Sequence, residues 1–268
     1  MSGLLRSYKY HVFTFPMLVI LLLLTVVMPS LAQTEVSPTE AMLRANRSYE
    51  AGQFAEAIFI YEAIVDAGIH NSDLYYNLGN AYFKQGELGK AIVNYRRAQR
   101  LAPRDTDVAA NLRFARTQTV DRLENSEEGL TNVVQVAEEW LTLDEAAVLA
   151  LVLWVLICYF VVLAILVPRL RRIFSWVIIV LALFLMFGVI SIVNRLYSEW
   201  QYPPAVIVAS EVEITSGPGD ATQYLVEFTL HDGTEVRLLE SRPDWRRITL
   251  PGDLQGWVRA EAVEEVIK

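Results

Sequence analysis

The period of the hydrophobic pattern changes along the chain and divides it into three kinds of segment. From Pro38 to about residue 117, apolar residues recur at three- and four-residue spacing, which is typical of amphipathic helices. Two later runs, 146–167 and 173–194, are apolar and contain no charged residue. After Pro204, short alternating runs are separated by Gly, Pro and Asp, which predicts β-strands and turns. The predicted order is helical hairpins, a pair of apolar helices and a small all-β domain.

The helical segment contains an internal repeat. A glycine, an alanine and a tyrosine recur at a constant offset of 34 residues: Gly52, Ala57 and Tyr61 are followed by Gly86, Ala91 and Tyr95. Glycine costs about 1 kcal/mol relative to alanine inside a helix, so it is retained where a turn or a close contact requires it. Gly86 is therefore predicted to form the turn between two helices, and Gly79 to allow two helices to pack closely.

This repeat resembles the tetratricopeptide (TPR) pattern, which has the same period. Eight residues between Leu74 and Asp105 match its aromatic, Leu-Gly, small and terminating-proline positions: Tyr75, Leu78, Gly79, Tyr82, Ala91, Tyr95, Ala98 and Pro103. A more divergent copy covers 38–71, with Ala45, Ser48 and Ile69 at three of the pattern positions. The segment after Pro103 predicts a polar capping helix, which TPR stacks need at their ends. The TPR unit is predicted to cover 33–125.

The N-terminus has the order of a secretory signal: Arg6 and Lys9, the apolar run Met17–Met28, and small residues before a cleavage site after Ala32. Residues 1–32 are therefore predicted to be a signal peptide. An uncleaved membrane anchor is the alternative. Either interpretation places Gln33 and the residues after it outside the cytoplasm.

The two apolar runs are long enough to be transmembrane helices, since about 20 apolar residues span a bilayer. The connecting loop, 168–172, contains three arginines, which the positive-inside rule places in the cytoplasm. The outer flanks carry carboxylates and interfacial aromatic residues. Segment 126–145 links the repeats to the first span, either as a helix lying on the membrane or as an extension of the span, and 195–204 links the second span to the β domain.

Residues 205–268 resemble a bacterial SH3 domain, a small β-barrel. The resemblance rests on an exposed turn at 216–219, a His-Asp-Gly-Thr turn at 231–234, Trp245 with Ile248, and the sequence Gly-Trp-Val at 256–258. About five strands are expected. Tyr224, Trp245 and Trp257 are the candidate ligand-binding residues. Trp257 is interpreted as core because it lies within a strand, whereas Trp245 follows a turn and is the better ligand candidate.

The overall order of segments resembles the E component of the Bat aerotolerance operon, a membrane-anchored TPR protein. That resemblance implies a membrane complex with Bat proteins that contain von Willebrand A domains, and with a MoxR-type ATPase. A second hypothesis is a cell-wall sensor or anchor whose SH3-like domain binds peptidoglycan. A transport or signalling role for the apolar hairpin is a third, disfavoured because the spans contain no ionisable residue of the kind that usually marks an intramembrane pathway.

No enzymatic chemistry is predicted. The three histidines, His11, His70 and His231, do not have metal-ligand spacing, and we find none of the common phosphate-binding or hydrolase motifs, so neither a metal nor another cofactor is expected. The chain has 268 residues, is 53% hydrophobic, has a mean hydropathy of +0.30 and carries a formal charge of −8. The acidic balance argues against nucleic acid. Cys158, the single cysteine, excludes an intrachain disulfide.

In TPR proteins the first helix of each repeat lines a concave groove that binds partner peptides. The corresponding candidate residues are Met42, Asn46, Tyr49, Tyr76, Asn77, Asn80 and Phe83. Asn46 and Asn77 match the asparagines of a carboxylate clamp, but its basic positions are occupied by Met42, Asp107 and Asn111, so carboxylate capture is disfavoured. Two alternatives stay open: the asparagines cross-link or cap helices, and the aromatic residues fill the core.

Overall fold

The computed structural model describes residues 37–121, 141–220, 222–252 and 254–267, and the range Pro38–Lys268 forms one compact unit. The predicted signal peptide with its cleavage site, and residues 126–140 of the predicted linker, lie outside the described residues. All contacts reported below lie within the compact unit.

Five helices form the N-terminal part of this unit. They are antiparallel neighbours joined by short turns, and their bounds are α1 (Pro38–Glu50), α2 (Phe54–Asp66), α3 (Ser72–Gln85), α4 (Leu88–Leu101) and α5 (Thr106–Thr117). Helix α3 begins after Asn71, whose side chain accepts a hydrogen bond from the Leu74 amide, and α5 is capped in the same manner by Asp105. The two repeats thus start at Pro38 and Ser72, with α5 as the next helix in the stack.

Both glycine predictions are confirmed. Gly86 ends α3 with φ +89°, the left-handed conformation that glycine adopts without strain. At Gly79, a Cβ would lie 2.8 Å from the ring of Tyr95 on α4, so the absence of a side chain lets α3 and α4 pack closely.

Two long apolar helices follow: α6 (Leu143–Leu166) and α7 (Arg171–Gln201), joined through the short 3₁₀ turn Pro168–Leu170. Thr142 and Glu145 form a reciprocal capping box at the start of α6. The helices pack against each other, yet neither has a buried residue, and each is long and apolar enough to cross a membrane. Both extend past the apolar runs, and α7 continues seven residues beyond Asn194.

The C-terminal part is a seven-stranded antiparallel sheet with the order β3-β2-β6-β5-β4-β1-β7. Its strands are β1 (Pro204–Ile207), β2 (Glu211–Thr215), β3 (Val226–His231), β4 (Glu235–Ser241), β5 (Trp245–Thr249), β6 (Gln255–Arg259) and β7 (Val263–Glu265). The two additional strands relative to the prediction are short: β2 and β7 have five and three residues. In the described residues β3 and β7 are the two edges, so the sheet does not close into a barrel.

The sheet packs on the repeats through its β1 and β7 side. Its own core contains Ile214, Leu238, Ile248 and Val258. In contrast, Val206 of β1 and Val266, which follows β7, belong to the same buried cluster as the helices of the repeats. Helix α4 therefore has two apolar neighbours, the rest of the helical stack on one side and the sheet on the other.

Candidate functional site

The predicted groove residues lie on the first helices of the two repeats. Helix α1 carries Met42, Asn46 and Tyr49, and helix α3 carries the other four, Tyr76, Asn77, Asn80 and Phe83. All seven side chains are half-buried. The structure brings the two rows together, because Asn77 Nδ2 donates a hydrogen bond to Asn46 Oδ1 at 3.3 Å.

Four asparagines form a repeated hydrogen-bond network, here called the asparagine ladder: Asn46, Asn77, Asn80 and Asn111. Asn46 Oδ1 also accepts a hydrogen bond from the hydroxyl of Tyr61 at 2.6 Å. One repeat later, Asn80 Oδ1 accepts from the hydroxyl of Tyr95 at 2.7 Å and from Nδ2 of Asn111 at 2.9 Å. The equivalent residues in the two steps are separated by 34 positions, so the repeat reproduces the network as well as the backbone.

The ladder uses only part of the hydrogen-bonding capacity of each amide. Asn46 and Asn80 use their Oδ1 atoms, whereas Asn77 and Asn111 use Nδ2. Among the described residues, the NH₂ groups of the first two and the amide oxygens of the other two have no side-chain partner in this network. One step of the ladder therefore presents one donor group and one acceptor. A peptide backbone also presents one donor and one acceptor per residue. The chemistry of the ladder matches an uncharged, extended main chain.

Asn111 is the ladder member that the sequence analysis assigned to a basic position of the carboxylate clamp but did not include among the candidate binding residues. It is on α5, and its Nδ2 also donates to the hydroxyl of Tyr76 at 3.0 Å. The sequence signal for it was its offset of 34 residues from Asn77. Helix α5 is therefore more than a polar cap, because it extends the ladder by one repeat.

Aromatic side chains accompany the ladder. Tyr76 contacts Tyr95 with ring centroids 6.2 Å apart, and Phe83 contacts Phe114 on α5 at 5.6 Å. Phe114 is 56% exposed. Burial, together with the neighbouring Tyr76, raises the pKa of Tyr49, so its hydroxyl stays neutral at physiological pH. These rings and amides are apolar or uncharged groups on the face predicted to form the groove.

The three candidate residues of the β domain lie around strand β6 and the loop that follows β2. Trp257 is buried on β6, with the Arg242 guanidinium 4.5 Å from its ring centroid. Trp245 begins β5, pairs with Arg259 across the strands, and has that guanidinium 5.4 Å from its ring. Tyr224 lies across the loop glycines Gly217 and Gly219, where any Cβ would overlap its ring.

A second arrangement of polar groups joins the β domain to α4. The Gly89 amide donates a hydrogen bond to Asp232 Oδ1 at 2.8 Å, and a Cβ at Gly89 would overlap that carboxylate oxygen and the carbonyl oxygen of Ile207. Gly233, with φ +90°, faces Ile92 and Leu88 in the same contact. Backbone of the two domains thus approaches directly, which explains why a helix retains glycine at position 89.

Arg97 is the most buried charge in this interface. It is 7% exposed, forms an ion pair with Glu264 at 2.9 Å, and donates to the carbonyl oxygens of Glu265 at 2.6 Å and Val266 at 3.2 Å. Its guanidinium also lies 5.8 Å from the ring centroid of Tyr75. Both Nε and Nη2 therefore have partners, and a carboxylate balances the charge, as a buried charge requires.

Two carboxylates extend the interface toward α5. Glu235 is bound by Arg96 at 3.1 Å and by Arg116 at 2.5 Å; burial raises its pKa, but the two arginines outweigh burial and lower it overall. Asp121 accepts hydrogen bonds from the His231 amide at 2.7 Å and from Thr234 Oγ1 at 2.6 Å. These bonds likewise outweigh burial and lower the pKa of Asp121. Both groups stabilise docking in their charged form.

The ends of the apolar helices are also tied to the repeats. Arg100 of α4 forms two hydrogen bonds with the Glu199 carboxylate, at 2.6 and 3.0 Å, and Arg104 pairs with Glu145. Residues 37–121, 141–220, 222–252 and 254–267 contain no group of three His, Cys, Asp or Glu side chains that could hold a metal ion.

Comparison with known proteins supports the repeat. The sequence profile of the tetratricopeptide repeat family matches residues 72–105, which are α3, α4 and the turn before α5. No curated protein matched the chain. A tetratricopeptide repeat indicates a surface for protein–protein interaction, and in this chain that repeat carries the central part of the asparagine ladder.

Proposed function

We propose that this chain is a non-enzymatic, membrane-anchored scaffold, in which α6 and α7 span the membrane and the repeats bind the extended segment of a partner protein in their groove. The observation that carries the proposal is the asparagine ladder, because its unused amide groups and aromatic neighbours suit a neutral peptide main chain. The β domain, which we take to be SH3-like, holds the repeats from the other side of α4.

The proposed orientation places the repeats and the β domain on the outer side and the arginine loop 168–172 in the cytoplasm. Cysteine labelling of whole cells, in a Cys158→Ala background, tests this orientation. A cysteine at position 113 or 251 should react with a membrane-impermeant maleimide, and one at position 170 should react only after permeabilisation. Labelling of position 170 in intact cells would invert the topology.

The domain order resembles the E component of the Bat operon, so the proposed partners are Bat proteins with von Willebrand A domains in the same membrane. Photoreactive residues at Phe114, beside the groove, and at Phe59, on the outer face of α2, provide a matched pair of exposed aromatic positions. The proposal predicts that Phe114 traps a partner and Phe59 does not. The trapped protein should be lost when Asn80 and Asn111 are replaced by leucine.

A photoreactive residue at Trp245 tests the alternative, in which the β domain binds peptidoglycan. If wall material is trapped at Trp245 while the groove position traps no protein, the chain is a wall anchor and the repeats are only a support. If a protein is trapped in the groove and isolated wall does not retain the chain, the scaffold function stands.

A further inference from the structure

One end of the β sheet carries a cluster of arginine and tryptophan side chains around the β4–β5 turn. The cluster consists of Arg242, Trp245, Arg246 and Arg259, here called the arginine–tryptophan end. Trp245 pairs with Arg259, and Ser241 pairs with Arg246, so the strand register places the four residues together. Arg246 donates hydrogen bonds to the carbonyl oxygens of Arg242 and Trp245, which fixes the turn.

The arginines of this end are ion-paired only in part. Arg242 pairs with Glu240 at 2.8 Å and Arg259 with Asp220 at 2.6 Å, and about half of each of these four side chains is exposed. Arg246 forms no ion pair within the described residues. Asp244 is a third carboxylate of the turn, so the formal charges of the three arginines and the three carboxylates cancel.

Arg247, the next residue on β5, adds a fourth arginine, so that arginines outnumber carboxylates by one at this end of the sheet. Its guanidinium donates to the side-chain oxygen of Gln255 at 3.1 Å, and it too forms no ion pair in the part of the chain that the structure describes. The chain as a whole has a formal charge of −8. The arginine–tryptophan end and Arg247 therefore differ in charge from the rest of the molecule.

The strand register shows in which direction this end points. Strand β1 begins at Pro204, just after α7, and leads away from that helix. Strand β4 is antiparallel to β1, with Arg237 opposite Pro204, so the residues of β4 after Arg237 run back past the start of β1. Two contacts hold the middle of β4 beside the end of α7: Arg237 Nη1 donates to Ser198 Oγ at 3.3 Å, and the Leu238 amide donates to the Pro203 carbonyl at 2.9 Å.

The lengths of α7 and β4 can be compared to find how far the β4–β5 turn extends toward the end of the apolar run. The seven residues of α7 after Asn194 raise the start of β1 by about 10 Å at 1.5 Å per residue. The four residues of β4 after Arg237 return up to about 13 Å at 3.3 Å per residue. These lengths are sufficient for the β4–β5 turn to reach the layer at which the apolar run gives way to polar residues.

We propose that the arginine–tryptophan end is a lipid-binding surface that docks on the anionic phospholipid headgroups around α7. This inference rests on the proposed membrane anchoring. Guanidinium groups bind phosphate oxygens with two parallel hydrogen bonds, and tryptophan is favoured at the boundary between headgroups and acyl chains. The docked turn sets the tilt of the β domain relative to the membrane, and hence the direction in which the attached repeats face.

The test uses the full chain in lipid nanodiscs of phosphatidylcholine alone or of phosphatidylcholine mixed with phosphatidylglycerol. A photoreactive residue replaces Pro243 in the β4–β5 turn or, as a matched control, Pro251 in the β5–β6 turn at the opposite end of the sheet. Both prolines are exposed. After irradiation, phospholipid adducts are counted by mass spectrometry.

The inference predicts adducts at position 243 that exceed those at position 251 and increase with phosphatidylglycerol. Arg246→Glu should lower the yield at position 243 more than fivefold, since one arginine near an anionic surface contributes about that factor. Arg247→Glu, which leaves the hydrogen bonds of the turn intact, should lower it as well. Arg113→Glu on α5 should leave it unchanged.

Equal yields at 243 and 251, equal yields in neutral and anionic discs, or no loss in both glutamate variants would overturn the lipid-binding surface. A photoreactive residue at Phe184, within the apolar run of α7, separates this failure from failure of the anchoring. Acyl-chain adducts at position 184 without adducts at position 243 would reject the lipid-binding surface but not the membrane anchoring. Absence of adducts at 184 overturns the anchoring and the surface together.

Discussion

The outer faces of α2 and α4 occupy equivalent positions in the two repeats but have opposite surroundings. On α2 this face is exposed and contains Ala55, Phe59, Glu62, Ala63 and Asp66. On α4 the residues 34 positions later are Gly89, Val93, Arg96, Arg97 and Arg100, which are buried or half-buried. Phe59 is 72% exposed, whereas Val93 is fully buried. The acidic residues of one face are replaced by arginines on the other.

The difference shows that the two faces of a repeat are constrained differently. The inner face is the one that carries the asparagine ladder. The inner face repeats its residues, because both ladder steps need an asparagine and a tyrosine at the same positions. The outer face diverges, because α4 packs against the β domain, whose facing groups include Asp232, Glu235 and Glu264. The charges of α4 are matched to that neighbour.

The largest expected effect that tests this comparison comes from Arg97→Ala. It leaves Glu264 without its cation and two carbonyl oxygens without donors, which should weaken docking of the β domain by about 3 kcal/mol, toward the lower limit for buried pairs because Glu264 is partly exposed. Amide exchange of Val266 in the full chain measures it. Ala63→Arg, at the equivalent exposed position of α2, should change protection there by less than about 0.5 kcal/mol. Similar effects of the two substitutions would contradict the comparison.

Gly89→Ala is expected to have the next largest effect. The new methyl group would overlap Asp232 and the Ile207 carbonyl oxygen, and such overpacking costs about 1–3 kcal/mol, less the benefit of alanine to the helix. Exchange at Gly233, whose amide bonds to Ile207 across the turn, should accelerate. The equivalent residue of α2 is already alanine, and Ala55→Ser should have no effect on exchange. An unchanged interface in Gly89→Ala would show that the domains do not approach as closely as described.

These two residues also mark the limit of prediction from the sequence. The repeat bounds, the roles of Gly79 and Gly86 and the two apolar helices follow from local periodicity and turn chemistry, and the structure has them where the pattern places them. The reasons for Gly89 and Arg97 lie in residues 143 and 169 positions away, so no local pattern contains them. The ladder is intermediate: its asparagines are visible in the 34-residue offset, but their hydrogen bonds are not. The sequence analysis missed two strands, β2 and β7, whose pairing with β3 and β1 is not visible in their own short sequences.

The inner faces should respond to mutation as equivalents. Asn46→Ala and Asn80→Ala each remove one amide that accepts from a tyrosine and from the next asparagine, so each should destabilise its repeat by about 1–2 kcal/mol. Exchange of the α2 amides for the first variant and of the α4 amides for the second measures the loss. Asn71→Ala, which removes a helix cap outside the ladder, is the control for loss of an asparagine. A loss confined to one of the two ladder variants would mean that the network is not a repeated unit.

The smallest expected effect concerns the charge of Asp232. Burial raises its pKa above the ordinary 3.8, although amide groups including that of Gly89 act in the opposite direction. A raised carboxyl pKa means that ionisation opposes docking, so the contribution of this group is favourable at low pH and is lost as the pH rises through the raised value. Glu235 and Asp121, with lowered pKa values, have the opposite dependence and lose their contribution as the pH falls.

Asp232→Asn separates these opposing dependences. The amide oxygen still accepts from the Gly89 amide, and the buried charge is removed, so at neutral pH the variant should dock slightly more strongly than the wild type. Below the ordinary aspartate pKa both proteins carry a neutral group there, and the difference should vanish. The ratio of Val266 exchange rates between variant and wild type, measured on both sides of that value, cancels the contributions of Glu235 and Asp121. Weaker docking of the variant at neutral pH would instead mean that the negative charge of Asp232 stabilises its hydrogen bonds with the amides of α4. The charge of the β domain would then complement α4 at this position too.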